Sequence, residues 1–297
     1  MKIRNLILVA MAALGMTACN DDDFTIPAFL HVEAVKVVPP ESNPITLEEG
    51  FYTSDITAIY VIAHYPGAMK MDTIGLFEMP FTIPVLHEGP VDYLEFYPAV
   101  KQSGVGGALP YYSFYKPIRV SDTSLVAGDT LRFDTLSTTY AIGLSDMLMF
   151  TCFEPTEGSL PFDSVEWHRN APDEACSGMG YGSVHVPDSV LSVPFGIKQS
   201  FYVTDPTRVI YLELDTRSDM RFEVYMHAAY ETGGSEHQER VMVINPSNHW
   251  QHMYINLGRT WAWFNHQPEF RLSFAALNVD GTEGDIRIDN VKLLTTL

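Results

Sequence analysis

The sequence is short of cysteine, of long apolar runs and of basic residues, and each shortage narrows what the protein can be. Only three cysteines occur in 297 residues, so few cross-links are available. After the N-terminal 18 residues, no apolar run approaches the roughly 20 residues of a transmembrane helix. The 18 Lys and Arg are outnumbered by 37 Asp and Glu, which gives a formal net charge of −19. Such a charge repels phosphate backbones and anionic lipid, so we expect no binding to nucleic acid.

Motifs of catalysis are also lacking. The sequence contains no HExxH, no GxSxG, no P-loop and no dinucleotide fingerprint. The carboxylates of Glu213 and Asp215 are spaced to flank a glycosidic bond, as in a jelly-roll glycoside hydrolase. A solvated acidic pair on an exposed strand face explains the same spacing. We therefore expect a protein without catalytic activity, with the hydrolase as the enzymatic alternative.

The N-terminal segment has the pattern of a signal peptide. Lys2 and Arg4 precede an apolar stretch at 6–16, which is too short to remain as a membrane span. Thr17 and Ala18 then lead into Cys19. This ending resembles a bacterial lipobox, and the resemblance implies cleavage after residue 18 and acylation of Cys19. The alternative is ordinary secretion with an incidental cysteine.

An acidic run follows that cysteine. Asp21, Asp22 and Asp23 lie directly behind it, within a linker at 19–25. The run resembles the export signal of surface lipoproteins of Bacteroidota, and the resemblance implies the outer face of the outer membrane. A plain solvated linker, with the protein on the periplasmic face, is the alternative. In both cases the lipid anchor at the N-terminus is the expected membrane contact.

Most of the remaining sequence alternates between apolar and polar residues. Segments such as 220–230, 252–257 and 270–277 place apolar side chains at every second position, as half-buried antiparallel strands do. Turn clusters rich in the 20 glycines and 19 prolines separate them. No amphipathic helix of three turns is evident. The pattern predicts an all-β protein built from antiparallel β-sandwiches.

A boundary near residues 142–147 divides the strands into two modules, 26–143 and 144–297. The segment 74–100, IGLFEMPFTIPVLHEGPVDYLEFYPAV, shows a strand, a turn and a return strand. It resembles the small immunoglobulin-like or carboxypeptidase-regulatory-like β-modules found at the start of such lipoproteins. That resemblance implies a fold and carries no activity.

The second module has a different resemblance. CFE at 152–154, GMGYGSVHV at 178–186 and IRIDNVKLL at 286–294 together resemble the galactose-binding-like jelly rolls, which include many carbohydrate-binding modules. The resemblance implies a structural Ca²⁺ held by Glu154 and Asp289. Independently, the alternation of strand residues shifts at Asp289, which predicts a β-bulge. An Asp-Asn pair is also ordinary turn chemistry.

Sugar binding would require exposed aromatic faces, because pyranose C–H groups stack on aromatic rings. Trp261 and Trp263 are two residues apart and would share a face of an extended segment, with His266 close by. Tyr230 and His249 lie in or beside other loops. These five residues form the predicted ligand-binding set. The alternative is that the two tryptophans belong to the core.

The two cysteines beyond the linker leave two alternatives open. An oxidising compartment would permit a disulfide between Cys152 and Cys176. Two free buried thiols are the other alternative, since spacing in sequence does not show whether the two residues come within bridging reach.

Two functional hypotheses follow. The first is a surface lipoprotein that binds glycan through its jelly roll. The second is an adhesion or assembly lipoprotein that binds a protein partner of an outer-membrane uptake or secretion complex. The aromatic segment with Tyr111, Tyr112, Phe114 and Tyr115 would serve such a protein interface, or else forms a strand that enters the first core.

Overall fold

Two β-sandwiches make up the residues that the structure, a computed structural model, describes: 26–40, 49–67, 71–86 and 89–296. The first contains the strands up to residue 138, and the second contains those from residue 147 onward. The predicted all-β class with two sandwich domains is therefore confirmed. The predicted signal peptide, Cys19 and the acidic run Asp21 to Asp23 lie outside the described residues.

The first sandwich has a four-stranded sheet in the order β4-β3-β6-β7, a three-stranded sheet β5-β1-β8 and a pair β2-β9. Its strands are β1 (Ala28–Val32), β2 (Val35–Val37), β3 (Ile56–His64), β4 (Met71–Glu78), β5 (Phe81–Val85), β6 (Gly89–Val100), β7 (Ile118–Leu125), β8 (Thr130–Phe133) and β9 (Leu136–Thr138). The pairs β1-β8 and β2-β9 are parallel. The other strand pairs of this sandwich are antiparallel, as predicted. The two parallel pairs join strands that are far apart in sequence, and local patterns do not show which distant strands pair.

The second sandwich has two six-stranded sheets, and all their strand pairs are antiparallel. One has the order β12-β13-β21-β16-β19 with β10 also on β21, and the other the order β11-β14-β20-β17-β18 with β15 also on β20. The strands are β10 (Met147–Thr151), β11 (Phe162–Asp163), β12 (Glu166–His168), β13 (Tyr181–Val186), β14 (Ser192–Ile197), β15 (Phe201–Tyr202), β16 (Val209–Ser218), β17 (Arg221–Ala229), β18 (Glu236–Ile244), β19 (Ser247–Asn256), β20 (Glu269–Leu277) and β21 (Gly284–Thr296).

Alternation along these strands builds the core. In β17, the predicted inward residues Phe222, Val224 and Met226 are all fully buried. The same period of two buries one face of β20 and packs the two sheets together. Helical structure is limited to α1 (Gly258–Trp263) and the 3-10 turns Glu49–Tyr52 and Leu144–Asp146 within the described ranges. None of these helices is long and apolar enough to cross a bilayer.

The predicted bulge in the last strand is present. The pairing of β16 with β21 shifts its register between Glu213, which pairs with Lys292, and Asp215, which pairs with Asp289, so Asn290 and Val291 both lie opposite Leu214. Asn290 adopts a φ of 48°, in the left-handed region that asparagine tolerates better than most residues. The bulge turns the side chains of Asp289 and Asn290 into buried positions.

An aromatic interface joins the two sandwiches. Tyr112, Phe114 and Tyr115 are buried in one cluster with Tyr211 and Tyr254 of the second sandwich. The Tyr112 ring lies 5.1 Å from that of Tyr211 and 4.9 Å from that of Tyr254. The prediction that this segment faces an external partner is therefore wrong for these three residues, because they contact the second half of the same chain.

Tyr111 of the same segment remains exposed beside Tyr97. A short backbone contact adds to the interface, since Ser103 N donates to the Tyr254 carbonyl over 2.7 Å. This hydrogen bond places residues of the first sandwich against the edge of β19. The interface thus combines aromatic packing with an extension of a sheet.

Candidate functional site

The two tryptophans predicted to share a strand face lie instead on a helix. In α1, successive residues rotate by about 100°, so residues two apart point in nearly opposite directions. Trp261 is 0% exposed, and its Nε1 donates to the Gln267 carbonyl over 2.7 Å. Trp263 is 65% exposed. The prediction of a common face is wrong, and Trp261 belongs to the core.

The spacing of three apolar residues in the sequence does indicate the helix α1. Leu257, Trp261 and Phe264 follow one another by four and three residues, and all three are fully buried. The helix stops because Asn265 and His266 both adopt a φ of 53°. Left-handed residues end a helix, and asparagine is favoured among the non-glycine residues that do so.

Tyr230 supports the exposed tryptophan. Trp263 Nε1 donates to the Tyr230 hydroxyl over 3.3 Å, and that hydroxyl donates to Glu239 Oε1 over 2.9 Å. The Tyr230 ring centre lies 5.2 Å from that of Phe264 and 4.6 Å from that of His237. Tyr230 is therefore held on several sides. It fixes the indole of Trp263 while leaving that indole open to solvent.

The loop that follows α1 is tied to the same tyrosine. Asn265 Nδ2 and Gln267 Nε2 donate to the Tyr230 carbonyl over 3.2 and 3.3 Å. His266 packs edge-on against the ring of Trp261 at 4.8 Å and is half-buried. The structure thus brings together four of the five predicted ligand-binding residues. Trp263 is the one that presents an open aromatic face, and Tyr230 contacts it directly.

A groove of about 360 Å³ opens at this end of the second sandwich. It is lined by the turn between β17 and β18, by Gln267 and by the start of β20. Arg271 and Glu236 form an ion pair in it, with Nε to Oε1 at 2.9 Å, and this hydrogen bonding lowers the pKa of Glu236. On the β15 side, Tyr202 is exposed and its hydroxyl donates to Glu269 over 2.8 Å. Aromatic and polar groups therefore occur together at this end.

His249 is not part of this group. It lies near the start of β19, whereas α1 follows the end of that strand, so the two are separated by the length of the strand. His249 lines a larger cleft of about 830 Å³ between the sandwiches. Trp250 shares this lining, and its Nε1 donates to the Glu174 carbonyl over 3.2 Å. The first sandwich contributes Asp55 and Lys101 to the cleft.

The carboxylate pair of Glu213 and Asp215 is buried beneath the interface. Neither residue is solvated, so the interpretation as an exposed acidic pair is wrong. Tyr112 OH donates to Glu213 Oε1 over 2.5 Å, and Tyr140 OH donates to Oε2 over 2.6 Å. Tyrosines of the first sandwich therefore cover Glu213, and the carboxylate is enclosed rather than open to a substrate.

Lys292 completes this buried group. Its Nζ donates to Glu213 Oε2 and to the Tyr140 hydroxyl over 2.9 Å each, and to the Thr53 carbonyl over 3.2 Å. Burial alone would raise the pKa of Glu213, but the charge of Lys292 and the bonds from neighbouring donors outweigh it and lower that pKa to about 2. Glu213 is therefore an anion paired with a cation inside the protein.

His252 links the two carboxylates. Its Nδ1 lies 2.8 Å from Asp215 Oδ1, and its Nε2 lies 3.4 Å from Glu213 Oε2. Burial alone would lower the pKa of His252, but the charge of Asp215, its hydrogen bond to Nδ1 and the nearby Glu213 carboxylate raise it. Asn290 Nδ2 donates to Asp215 Oδ2 over 2.7 Å. Lys292 and His252 are thus the basic partners of the two buried carboxylates.

The two residues predicted to hold Ca²⁺ both accept backbone hydrogen bonds from one loop. Asp289 Oδ2 accepts from Cys176 N at 3.1 Å and Ser177 N at 3.3 Å, and Glu154 Oε1 accepts from Met179 N at 2.7 Å. In the part of the chain that the structure describes, no three His, Cys, Asp or Glu side chains group to hold a metal. Calcium also binds carbonyl oxygens, so the site stays a prediction.

Both cysteines of the second sandwich are free thiols. Cys152 is buried and its Sγ lies 3.4 Å from Glu157 Oε1, whereas Cys176 is half-buried at the cleft between the sandwiches. Burial raises the pKa of both thiols above the ordinary value. The structure therefore corresponds to the second of the two alternatives, free thiols rather than a bridge.

Comparisons with known proteins give structural neighbours and no family. No protein-family model matches the chain, and no curated protein matches it. A family 29 carbohydrate-binding module is 13% identical with a TM-score of 0.32, over 50% of this chain and 88% of that one. The same type of module complexed with cellulohexaose is 12% identical with a TM-score of 0.32, over 50% and 91%.

A third neighbour belongs to a study of promiscuous specificity in carbohydrate-binding modules of the β-sandwich superfamily. It is 12% identical with a TM-score of 0.36, over 80% of this chain and 85% of that one.

Proposed function

We propose that this protein binds glycan, without catalysis, at the end of the second sandwich that presents Trp263. The observation that carries the proposal is one indole that is 65% exposed and yet held in place by a hydrogen bond to Tyr230. Exposed tryptophans are uncommon on soluble surfaces, and an immobilised one offers a flat face at low entropic cost. Sugar rings stack their C–H faces on such a surface.

Polar groups beside the indole suit the hydroxyls of a sugar. Gln267, Arg271 and Glu236 lie in the adjoining groove, and Tyr202 and Glu269 lie at its other side. The ion pair and the tyrosine-carboxylate hydrogen bond each combine a donor with an acceptor. Every one of these groups has capacity for a further hydrogen bond. The net charge of −19 favours a neutral glycan over a sulfated or uronic one.

The cellular location of the protein is part of the proposal. Acylation at Cys19 would anchor the chain in the outer membrane, and Asp21 to Asp23 would direct it to the outer face, where glycans are met. The alternative of a protein partner in an uptake or secretion complex loses its main support. Tyr112, Phe114 and Tyr115, which suggested it, are buried between the two sandwiches.

A glycan-array screen of the chain beginning after Asp23 tests the binding, with titration of any hit by calorimetry. Trp263→Ala is expected to lose at least about tenfold in affinity, because a stacking aromatic contributes on the order of 1.4 kcal/mol or more. Trp250→Ala, in the cleft between the sandwiches, is the matched control and should bind normally. Loss in Trp250→Ala but not in Trp263→Ala would move the site to the cleft, and silence on all glycans would refute the proposal.

A further inference from the structure

We propose that the first sandwich rests on the membrane surface through apolar loop tips at the end remote from the second sandwich. This contact would be additional to the acyl chains, and it depends on the anchor that the proposed function assigns to Cys19.

Strand registers define this end, here called the free end. Gly89 at the start of β6 pairs with Leu125 at the end of β7, and His64 at the end of β3 pairs with Met71. In the other sheet, Ala28 pairs with Val85. The start of β1, the start of β4, the residue after β5 and the β7–β8 turn therefore lie toward the free end. The second sandwich contacts the opposite end, beyond the last residues of β6.

Each of these four elements exposes a large apolar side chain. Ile26 is 62% exposed, Met71 63%, Leu86 76% and Val126 53%. Among the described residues of the first sandwich, the other strongly exposed large hydrophobics are Val105 and Tyr111, which lie toward the second sandwich. Single exposed hydrophobics are ordinary, but one on each of four described elements at the same end distinguishes this end of the sandwich.

Backbone contacts hold two of these elements side by side. Gly128 N donates to the Pro27 carbonyl over 3.0 Å, and a Cβ placed on Gly128 would lie 3.8 Å from Ile26 Cγ2. Ile26 therefore packs over the turn that carries Val126. Leu86 follows Val85, whose partner Ala28 lies two residues from Ile26. The three tips form one neighbourhood rather than scattered points.

A lipid surface is the occupant that the chain itself brings there. Seven residues separate Ile26 from Cys19, a span of at most about 25 Å when fully extended. An acylated Cys19 thus keeps the free end close to the headgroups. Exposed carboxylates at Asp72, Asp92 and Asp129 frame the tips. The surface therefore suits zwitterionic rather than anionic headgroups.

The test uses the full acylated chain in phosphatidylcholine vesicles, with and without lipids that carry a nitroxide quencher. A water-sensitive fluorophore is attached at Leu86→Cys or Val126→Cys in separate variants. The matched controls are Leu191→Cys and Val279→Cys on the second sandwich, where the native side chains are 83% and 68% exposed. The dye-treated parent chain, which retains Cys152 and Cys176, sets the background.

We expect the fluorescence of the label at residues 86 and 126 to shift to the blue and to be quenched about twofold or more beyond the controls, because interfacial side chains reach about 5–10 Å into the headgroup region.

Equal exposure of the label at all four positions, in a chain that floats with the vesicles, overturns the proposal and leaves the lipid anchor in place. A chain that does not float overturns both. A blue shift without vesicles that grows with protein concentration means that a second copy covers the tips, and it also overturns the proposal. Glycan binding is measured on the same preparation and fails or succeeds independently.

Discussion

Replacing Lys292 by methionine is expected to destabilise the protein by about 3–5 kcal/mol, the usual cost of removing one partner of a buried ion pair. Methionine fills a similar volume, so the effect is electrostatic rather than a cavity. The substitution removes three hydrogen bonds from Nζ and leaves the Glu213 carboxylate in a fully buried site. Tyr112 and Tyr140 still donate to it, but the basic group that then remains near Oε2 is the His252 imidazole, whose Nε2 lies 3.4 Å away.

The pKa of Glu213 gives a second value for this loss of stability. Its pKa is about 2 in the folded protein and 4.5 for the ordinary group. At about 1.4 kcal/mol per pKa unit, this difference corresponds to about 3 kcal/mol of stabilisation of the charged form. The two routes agree in order of magnitude, and both attribute the effect mainly to the positive charge beside the carboxylate.

Urea unfolding at neutral pH, followed by tyrosine and tryptophan fluorescence, measures this effect. The matched control is Lys198→Met, because Lys198 is half-exposed and lies 3.9 Å from Asp163. A surface pair of this kind contributes about 0–1 kcal/mol. The variant Glu213→Gln with Lys292→Met should recover part of the loss, since no buried charge is left unpaired. A Lys292→Met protein within about 1 kcal/mol of the wild type would refute the reasoning.

Three further predictions follow from the same features. The stabilisation from Glu213 is present above its ordinary pKa of 4.5 and is lost as the pH falls toward about 2, whereas that from His252 is complete below 6.5 and is lost as the pH rises through its raised pKa. A series of thermal melts should therefore place the joint maximum of stability between these two ordinary pKa values. His252→Gln should remove the alkaline flank and move the acid flank to higher pH, because His252 also lowers the pKa of Glu213. Trp261→Ala should cost about 3–5 kcal/mol in urea unfolding while Trp263→Ala costs about 0.5 kcal/mol or less, and equal costs would contradict the assignment of one to the core and the other to the surface. The calcium site predicted from the sequence should appear as a rise in Tm with added Ca²⁺ and a fall with a chelator, since a ligand of the folded state stabilises it by mass action, and an unchanged Tm would contradict it.

Local patterns in the sequence were sufficient to predict the fold class and several details of the second sandwich. The period of two in β17 and β20 determines which face is buried, because successive strand side chains point to opposite sides. The shifted alternation at Asp289 predicts the bulge because an extra residue reverses the faces. Both features depend only on neighbours in sequence, so a single sequence contains them.

The helix that carries the candidate site was missed because its stability comes from packing. Six residues form no stable helix alone, since nucleation is unfavourable and short helices are marginal in water. Trp261 and Trp263 fit a strand as well as a helix when only their own spacing is considered. The positions of Leu257 and Phe264 relative to Trp261 favour a helix over a strand. This holds only if Leu257, Trp261 and Phe264 are all assumed to be buried.

The interface was beyond prediction because its partners are far apart in sequence. Tyr112 is separated from Glu213 by 101 residues, and Tyr140 from Lys292 by 152. Two carboxylates spaced by two residues look like a solvated strand face in sequence, and the tyrosines that cover them come from the other sandwich. The same separation explains why the aromatic segment around Tyr112 suggested an external partner.

The interface also determines how the two proposed contacts relate. Separating the two sandwiches would return the buried charges to water together. The charged network therefore contributes more to the specific way the sandwiches pack than to net stability. The buried aromatic residues oppose separation of the sandwiches. Exposing one such side chain to water costs about 1.5 kcal/mol or more. If only two of Tyr112, Phe114 and Tyr115 were exposed, fewer than about one molecule in a hundred would have its sandwiches apart. The aromatic packing therefore favours one arrangement of the two sandwiches. A free end seated on lipid and a glycan-binding end on the second sandwich would then keep one fixed orientation, so substitutions that loosen the interface should weaken binding to surface glycans without altering affinity for the same glycan in solution.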